Sequence, residues 1–176
     1  MPTTQSRNNV QPRTNHSRPY LALAGFTLAT AGAAWYGARY SRNSSRDGWY
    51  RELDKPSFTP PDAVFPVVWT TLYGLIAWSG WRIWCAAPSK QRTTALRLWI
   101  SQLYSNARWS KLFFGKHRPQ LALADALALE GLVASYISAA RKVDRAAANA
   151  FIPYGAWIAF ATVLNAEIAR RNPREG

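Results

Sequence analysis

The chain has 176 residues, enough for one domain, and it carries 22 lysines and arginines against nine acidic residues. Its single cysteine, Cys85, excludes an intrachain disulfide and a cysteine-based metal cage. A net charge of +13 would suit a nucleic-acid-binding protein, but the basic residues are grouped between long uncharged stretches. Because that grouping is typical of loops between membrane spans, we predict a lipid bilayer and no nucleic acid as partner.

The first 19 residues are polar and basic and contain no acidic residue. Two interpretations remain open: a disordered basic tail that orients the first helix, or an organelle targeting segment. The segment is short and has no apolar helical face, which favours the tail. We therefore predict a tail over residues 1–19 and a membrane domain over residues 20–172.

Three uncharged stretches, residues 20–38, 63–81 and 146–166, have about the 20-residue length that crosses a bilayer. Two further apolar stretches contain charges: residues 98–115 hold Arg108 and Lys111, and residues 119–140 hold Asp125 and Glu130. Because the loops between all these stretches are short and basic, we predict an all-α, integral membrane bundle of five transmembrane helices. The basic residues divide ten to twelve between the two sides, so the positive-inside rule leaves the orientation open.

Prolines and then aromatic residues mark the approach to the second helix. Pro56, Pro60 and Pro61 predict an ordered, non-helical loop over residues 55–62, and Asp62 is placed to cap the helix that follows. Phe65 and Trp69, with Tyr73, recur every four residues and form one stripe. This stripe is either a packing face or a flat wall for a planar ligand. Three tryptophans at the far end, Trp78, Trp81 and Trp84, suit an interfacial belt.

The third and fifth helices each carry a comparable face. Gln102, Asn106, Trp109 and Phe113 share one side of the third helix. Buried amides in a bilayer need partners, so these either bond neighbouring helices or address the polar edges of a ligand. On the fifth helix, the shared face consists of Trp157, Ala161 and Leu164.

Three segments together resemble the TspO/MBR family of translocator proteins and tryptophan-rich sensory proteins. They are WYRELDKPSFTPPDAVFPVVWTTLY (49–73), QLYSNARWSKLFFG (102–115) and PYGAWIAFATVLN (153–165). The resemblance implies a five-helix bundle, commonly a homodimer, whose pocket near the first loop binds a tetrapyrrole. Protoporphyrin IX or haem would be a ligand there and not an obligatory cofactor. The site residues that the resemblance implies are Trp49, Tyr50, Phe65, Trp69, Asn106, Phe113, Trp157, Ala161 and Leu164.

The chain departs from the family at several positions. Ala166 and Glu167 stand where the sterol motif of animal members needs an aromatic residue, so we do not expect cholesterol as a partner through that motif. Ser105, Arg108 and Glu130 stand where the family is usually apolar. We expect Glu130 to be deeply buried and either paired with Arg108 or Lys111, or placed at a dimer interface.

Three functions fit these features. The first is a tetrapyrrole-binding sensor or regulator, and the others are a light-dependent porphyrin-degrading enzyme and a transporter of porphyrins or other hydrophobic ligands. The sequence has no nucleophile–base pair, metal-ligand cluster or glycine-rich phosphate loop, so we predict no catalytic residues and no metal site. Any chemistry would be a photo-oxidation in which tryptophan donates an electron. The predicted location is multi-pass, in a bacterial cell membrane or, in a eukaryote, an organelle membrane.

Overall fold

The structure is a computed structural model that describes residues 17–174, and all regular secondary structure within them is helical. The predicted all-α class is confirmed. Five helices have 20 residues or more: α1 (Ser17–Asp47), α3 (Val64–Cys85), α4 (Lys90–Ser110), α5 (Pro119–Arg141) and α7 (Ile152–Arg171). Two short helices, α2 (Trp49–Glu52) and α6 (Arg145–Ala150), lie in connections, and α4 continues into a π-helical segment, Lys111–Gly115.

The first helix begins earlier than the sequence suggests. Because α1 starts at Ser17, residues 17–19, which we assigned to the tail, belong to its first turn. The rest of the predicted tail, residues 1–16, lies outside the described residues, and so does the choice between a tail and a targeting segment.

Three helical stretches among the described residues are long and apolar enough to cross a membrane: Pro19–Asp47, Pro119–Arg141 and Arg145–Arg171. Two of them contain stretches that we predicted as uncharged spans. The third predicted uncharged span, residues 63–81, lies mostly in α3, which is not among these three stretches, whereas α5 is. The difference depends on how aromatic residues are counted: α3 contains four tryptophans, which some hydropathy scales treat as slightly polar, whereas α5 is rich in alanine and leucine around its two acids.

The core lies where α5 packs between α4 and α7. The larger of two buried apolar clusters among the described residues includes Ile76 of α3, Trp99 of α4, Tyr136 of α5 and Phe151 at the junction of α6 and α7. Helix α1 packs along α3 and α4 at the edge, and only 11% of its apolar span is buried inside the protein. We therefore expect α1 to expose most of its surface to lipid. Free cysteines are usually buried as small apolar residues, but Cys85 is exposed.

A glycine permits a close approach between helices in this core. Trp99 of α4 is 3% exposed, and its Nε1 donates to the carbonyl oxygen of Ile76 in α3 at 2.9 Å. A Cβ atom at Gly80 would lie 2.6 Å from that Nε1 and 2.7 Å from the Phe26 ring of α1. Gly80 thus lets an indole and a phenyl ring from two helices contact the backbone of α3.

A charged pair joins α4 to α5. Asp125 is 4% exposed, and its Oδ1 accepts hydrogen bonds from Arg108 Nε at 3.0 Å, from Arg108 Nη2 and from Ser105 Oγ at 3.3 Å. Of the two alternatives for Glu130, the pair with Arg108 or Lys111 is wrong, whereas the place at a dimer interface stays a prediction. Glu130 lies five residues further along α5, which turns it to another side of the helix.

The predicted deep burial of Glu130 is wrong as well. Its side chain is half-buried, and within residues 17–174 it makes no hydrogen bond or ion pair. The acid that α4 neutralises is therefore Asp125, the more buried of the two in α5.

A double-mutant cycle tests this pairing. Arg108→Leu leaves the Asp125 carboxylate without its cation, so we expect Arg108 and Asp125 to be coupled by about 1–3 kcal/mol of unfolding free energy. The low end of this range applies because half of the Arg108 side chain is exposed. The measurement is chemical unfolding of the detergent-solubilised single and double leucine variants. Equal coupling of Arg108 to Glu130 in the matched cycle would contradict the assignment.

Candidate ligand-binding site

A small cavity of about 20 Å³ lies between α3, α4, α5 and α7. Ligand pockets usually have volumes of about 300–1,000 Å³, so a large ligand would have to widen this one. Four of the helices contribute to its wall, with aromatic residues on two of them. The lining residues are Trp69, Asn106, Trp109, Ala126, Leu129, Ile158, Ala161 and Thr162.

The predicted aromatic stripe of α3 forms one wall and continues onto α7. The Trp69 ring stacks on Tyr73 at 5.2 Å between centroids and meets Trp157 edge-on at 6.5 Å. Phe65 lies on the other side of Trp157, 5.9 Å away. Trp157 therefore adjoins the cavity through Trp69, whereas Phe65 contacts Trp157 and packs against a second aromatic cluster, and neither residue lines the cavity. Offset and edge-on pairs of this kind are the favoured arrangements of aromatic rings.

Polar side chains in the cavity wall come from α4 and α7. Asn106 is 3% exposed, and its Oδ1 accepts a hydrogen bond from the Tyr73 hydroxyl at 2.9 Å. Thr162 is also buried, and its Oγ1 has no partner among the described residues. Gln102, one turn before Asn106, is fully buried with neither amide atom hydrogen-bonded in the described part of the chain. Asn106 thus joins α4 to α3 through its bond with Tyr73 and also lines the cavity.

A second cluster holds the remaining predicted site residues. Phe113 and Leu164 are buried in it, and Trp49 and Tyr50 of α2 cover them. Trp49 meets Phe113 at 5.7 Å and stacks on the imidazole of His117 at 4.2 Å. The first loop, residues 48–63 between α1 and α3, contributes Trp49 and Tyr50 and covers Phe113 and Leu164, and none of the four lines the cavity.

Trp109 connects the two clusters. Its ring stacks on Phe113 at 5.1 Å with an interplanar angle of 18°, while it also lines the cavity. Its Nε1 donates to Asn165 Oδ1 at 3.1 Å, and Asn165 Nδ2 in turn donates to the carbonyl oxygen of Pro119 at 2.9 Å. The cavity and the aromatic cluster under the first loop thus share one wall.

Sequence reasoning missed part of the lining. Trp109 shares the predicted face of α4 with Asn106, so the helical periodicity already indicated its side of the helix. Ala126 and Leu129 of α5 gave no signal, because small apolar residues in an apolar helix do not show which side faces a cavity. Ile158 and Thr162 lie next to the predicted site residues Trp157 and Ala161 on α7, and only packing shows that they line the cavity.

The first loop is attached to the end of α7. The backbone N–H of Asp54 donates to Asn172 Oδ1 at 3.0 Å, and Asn172 Nδ2 donates to the carbonyl oxygen of Asp54 at 3.1 Å. Phe58 meets Phe160 of α7 at 6.4 Å. Asn172 and Phe160 do not line the cavity. The loop therefore covers the second cluster without contacting the cavity residues through these two.

Within the first loop, Gly48 and Tyr50 set the position of α2. Gly48 has a φ of +87°, which lets the chain turn sharply between α1 and α2. Lys55 Nζ donates to the carbonyl oxygen of Tyr50 at 2.6 Å and lies 4.6 Å from the centre of its ring. Burial and, to a smaller extent, the negative charge of Asp62 raise the pKa of Tyr50 to about 12, so its hydroxyl stays neutral at physiological pH.

Asp62 does not cap α3 as we predicted. Ala63 occupies the cap position without a side-chain hydrogen bond, and Asp62 is exposed. The reason is a turn at the end of the proline segment, in which the N–H of Val64 donates to the carbonyl oxygen of Pro61. This turn supplies the partner that an aspartate cap would otherwise provide.

Comparison with known proteins assigns the family. Residues 24–171 match the TspO/MBR family. The chain is 36% identical to the Translocator protein of Bos taurus over 149 residues, covering 84% of this chain and 88% of the relative. It is 38% identical to the Tryptophan-rich sensory protein of Cereibacter sphaeroides over 126 residues, covering 72% and 78% of the two chains.

A third relative extends the match over more of the chain. Protein CrtK of Rhodobacter capsulatus is 33% identical over 154 residues, covering 87% of this chain and 94% of the relative. Members of the family are membrane proteins, in agreement with the three apolar helical stretches described above. With a family match that runs from within α1 to the last residue of α7, the chain belongs to the TspO/MBR family.

Proposed function

We propose that the protein binds a tetrapyrrole, protoporphyrin IX or haem, in the cavity between α3, α4, α5 and α7, and acts as a membrane sensor or regulator. The observation that carries this proposal is the placement of three indoles. Trp69 and Trp109 line the cavity from two helices, and Trp157 packs edge-on against Trp69. The relative from Cereibacter sphaeroides, named a tryptophan-rich sensory protein, supports the sensor role.

The chemistry of the cavity wall suits a flat, polarisable ligand. Indole rings offer wide aromatic surfaces for stacking, and Ala161 leaves room beside them. The present volume of about 20 Å³ is far too small for a macrocycle, so binding requires the walls to separate. The first loop is the element to move, because it covers the neighbouring cluster and is attached by a few contacts at Asn172 and Phe160.

The same indoles favour a second candidate function, light-dependent breakdown of a bound porphyrin. Trp69 lies within 6.5 Å of Trp157 and stacks on Tyr73, so three oxidisable rings are in contact at the cavity wall. A light-excited porphyrin beside them could take an electron from an indole. Illumination of the bound complex distinguishes this candidate from a sensor.

We propose that all five long helices span the membrane. Helices that pack side by side share one bilayer thickness, and 20 residues of helix are about 30 Å long, the thickness of a hydrocarbon core. In support, α3 and α4 have 22 and 21 residues and expose large apolar side chains such as Val67 and Ile100. A multi-pass location in a bacterial cell membrane or an organelle membrane, and the homodimer that the family resemblance implies, belong to the same proposal.

An odd number of spans places the two termini on opposite sides of the membrane. We expect a tag at the N-terminus and a tag at the C-terminus to differ in protease accessibility in sealed vesicles. Both tags on one side would contradict five spans, and release of the protein by alkaline carbonate would contradict integral insertion. Light scattering of the purified protein measures whether it is a dimer.

Ligand binding is tested by shrinking the indoles one at a time. Trp69→Phe and Trp157→Phe each keep an aromatic ring but lose stacking area, and aromatic contacts contribute about 0.5–1.5 kcal/mol beyond burial. We expect each variant to bind protoporphyrin IX several-fold to about tenfold more weakly in absorption titrations in the dark. If the unmodified protein loses porphyrin absorbance in the light and both variants lose less, the breakdown activity is favoured over a sensor.

Trp84→Phe is the matched control, because Trp84 is 48% exposed at the end of α3 and contacts Phe26 and Arg92 instead of the cavity. We expect it to bind protoporphyrin IX like the unmodified protein. Equal weakening by Trp84→Phe and by the two cavity variants would place the ligand elsewhere.

Ligand access is tested at the attachment of the first loop. Asn172→Ala removes both hydrogen bonds to Asp54, and net contributions of about 0.5–1.5 kcal/mol per bond predict a rise in ligand association and dissociation rates of roughly tenfold. The affinity itself should change little, since Asn172 does not touch the cavity. Arg170→Ala, a change at the same helix end that spares the loop, is the stopped-flow control. Equal rates in the two variants would remove the loop from the entry route.

A further inference from the structure

One end of the bundle gathers four segments of the chain, and we call it the α3–α4 end. Trp81 Nε1 at the end of α3 donates to the carbonyl oxygen of Pro19 at 2.8 Å, which places the start of α1 there. Arg82 Nε donates to Asp144 Oδ2 at 2.8 Å, which adds the connection between α5 and α6. Arg92 Nη2 at the start of α4 donates to the carbonyl oxygen of Trp84 at 2.7 Å.

Positive charge at the α3–α4 end is almost unopposed. Residues 82–97 and 141–145 contain seven basic residues and a single acid, Asp144. Arg82 forms an ion pair with Asp144, and Arg92 donates hydrogen bonds to the carbonyl groups at the end of α3. The other five are exposed and have no ion pair within residues 17–174: Lys90, Arg97, Arg141, Lys142 and Arg145.

Asp144, the single acidic residue in these two segments, is already paired with Arg82. Burial would raise the pKa of Asp144, but hydrogen bonds from the N–H of Ala147 and from Arg82 outweigh it and lower the pKa below its ordinary value. Its negative charge is thus present at neutral pH and serves Arg82. In the sequence, Arg7 and Arg13 precede α1, Arg18 lies in its first turn, and no acidic residue stands before Asp47.

The opposite end has a different balance. Residues 39–62, 111–118 and 167–174 contain eleven basic residues and five acidic ones. Several of these are paired: Glu167 contacts Arg170 and Arg171, and Asp54 contacts Arg171 at 3.5 Å. The positive charge beside the first loop is therefore partly neutralised within the protein.

Tryptophans show at what depth the basic residues of the α3–α4 end lie. Trp78 and Trp84 are 36% and 48% exposed. The guanidinium of Arg82 lies 5.2 Å from the Trp78 ring, and that of Arg92 lies 4.9 Å from the Trp84 ring. Because exposed indoles at the end of a span lie at the level of lipid headgroups, the neighbouring basic side chains lie there as well.

We propose that the α3–α4 end binds anionic phospholipid headgroups and that this end faces the more anionic leaflet of its membrane. The five unpaired cations are spread over two connections and a helix start, an arrangement that suits several lipid phosphates better than one soluble anion. Exposed Tyr20 and Leu21 beside them supply an apolar contact that a soluble polyanion would not use. The proposal depends on the membrane placement above and is independent of the tetrapyrrole.

The test compares two triple variants of the full-length protein that each lose three exposed charges. Lys90→Gln/Arg97→Gln/Lys142→Gln alters the α3–α4 end, and Arg42→Gln/Arg46→Gln/Lys116→Gln alters the opposite end. Native mass spectrometry in detergent measures the apparent affinity for phosphatidylglycerol and for phosphatidylcholine. Each basic residue near an anionic surface contributes about fivefold in affinity, so the first variant should lose at least about tenfold for phosphatidylglycerol only. The opposite-end variant should stay within about threefold.

Two further measurements separate lipid binding from other causes. Lys90→Arg/Lys142→Arg keeps the charge and should keep the phosphatidylglycerol affinity, which guards against a loss caused by misfolding. Inorganic phosphate at the same concentration should not displace the lipid. Equal losses in the two triple variants, an unmodified protein without preference for phosphatidylglycerol, or full displacement by phosphate would each overturn the proposal. Binding of an acidic protein at this end in place of lipid would overturn it too.

Discussion

Asn165 is the residue on which the geometry of the cavity depends. It lies on α7 and is 1% exposed, and its amide bonds to the Trp109 indole on α4 and to the Pro119 carbonyl at the start of α5. No water competes for such bonds in the interior of a membrane bundle, so leaving either partner unpaired would be costly. One amide therefore sets the positions of three helices that form the walls of the cavity.

The orientation of Trp109 passes this constraint on to the first loop. With its Nε1 held by Asn165, the indole stacks on Phe113, and Phe113 supports Trp49 and Tyr50 of α2. The cover over the second cluster is thus built on the same interaction as the cavity. A change at Trp109 or Asn165 affects both the wall and the cover, whereas Asn172 affects the cover alone.

Polar groups are used differently in the two halves of the bundle. Near the α3–α4 end, Ser79 Oγ bonds the Tyr136 hydroxyl at 2.7 Å and the carbonyl oxygen of Ala147 at 2.8 Å, which joins α3, α5 and α6. In the cavity, Thr162 Oγ1 has no partner within the described residues. A satisfied network makes one half rigid, and an unpaired hydroxyl in the other half leaves a bond for a ligand to make. The molecule thus has a rigid end with a basic surface and an adaptable end with a loop over aromatic rings.

The sequence by itself determined the helical class, the aromatic stripe of Phe65, Trp69 and Tyr73, and the family, because these depend on periodicity along one helix and on local motifs. Only the tertiary structure decided that Asp125 and not Glu130 pairs with Arg108, since that choice depends on the rotation of α5 against α4. It also separated the predicted site into a cavity group and a group beneath the first loop. Membership of either group depends on which helices are neighbours and how they are rotated, and the periodicity of a single helix does not contain that information.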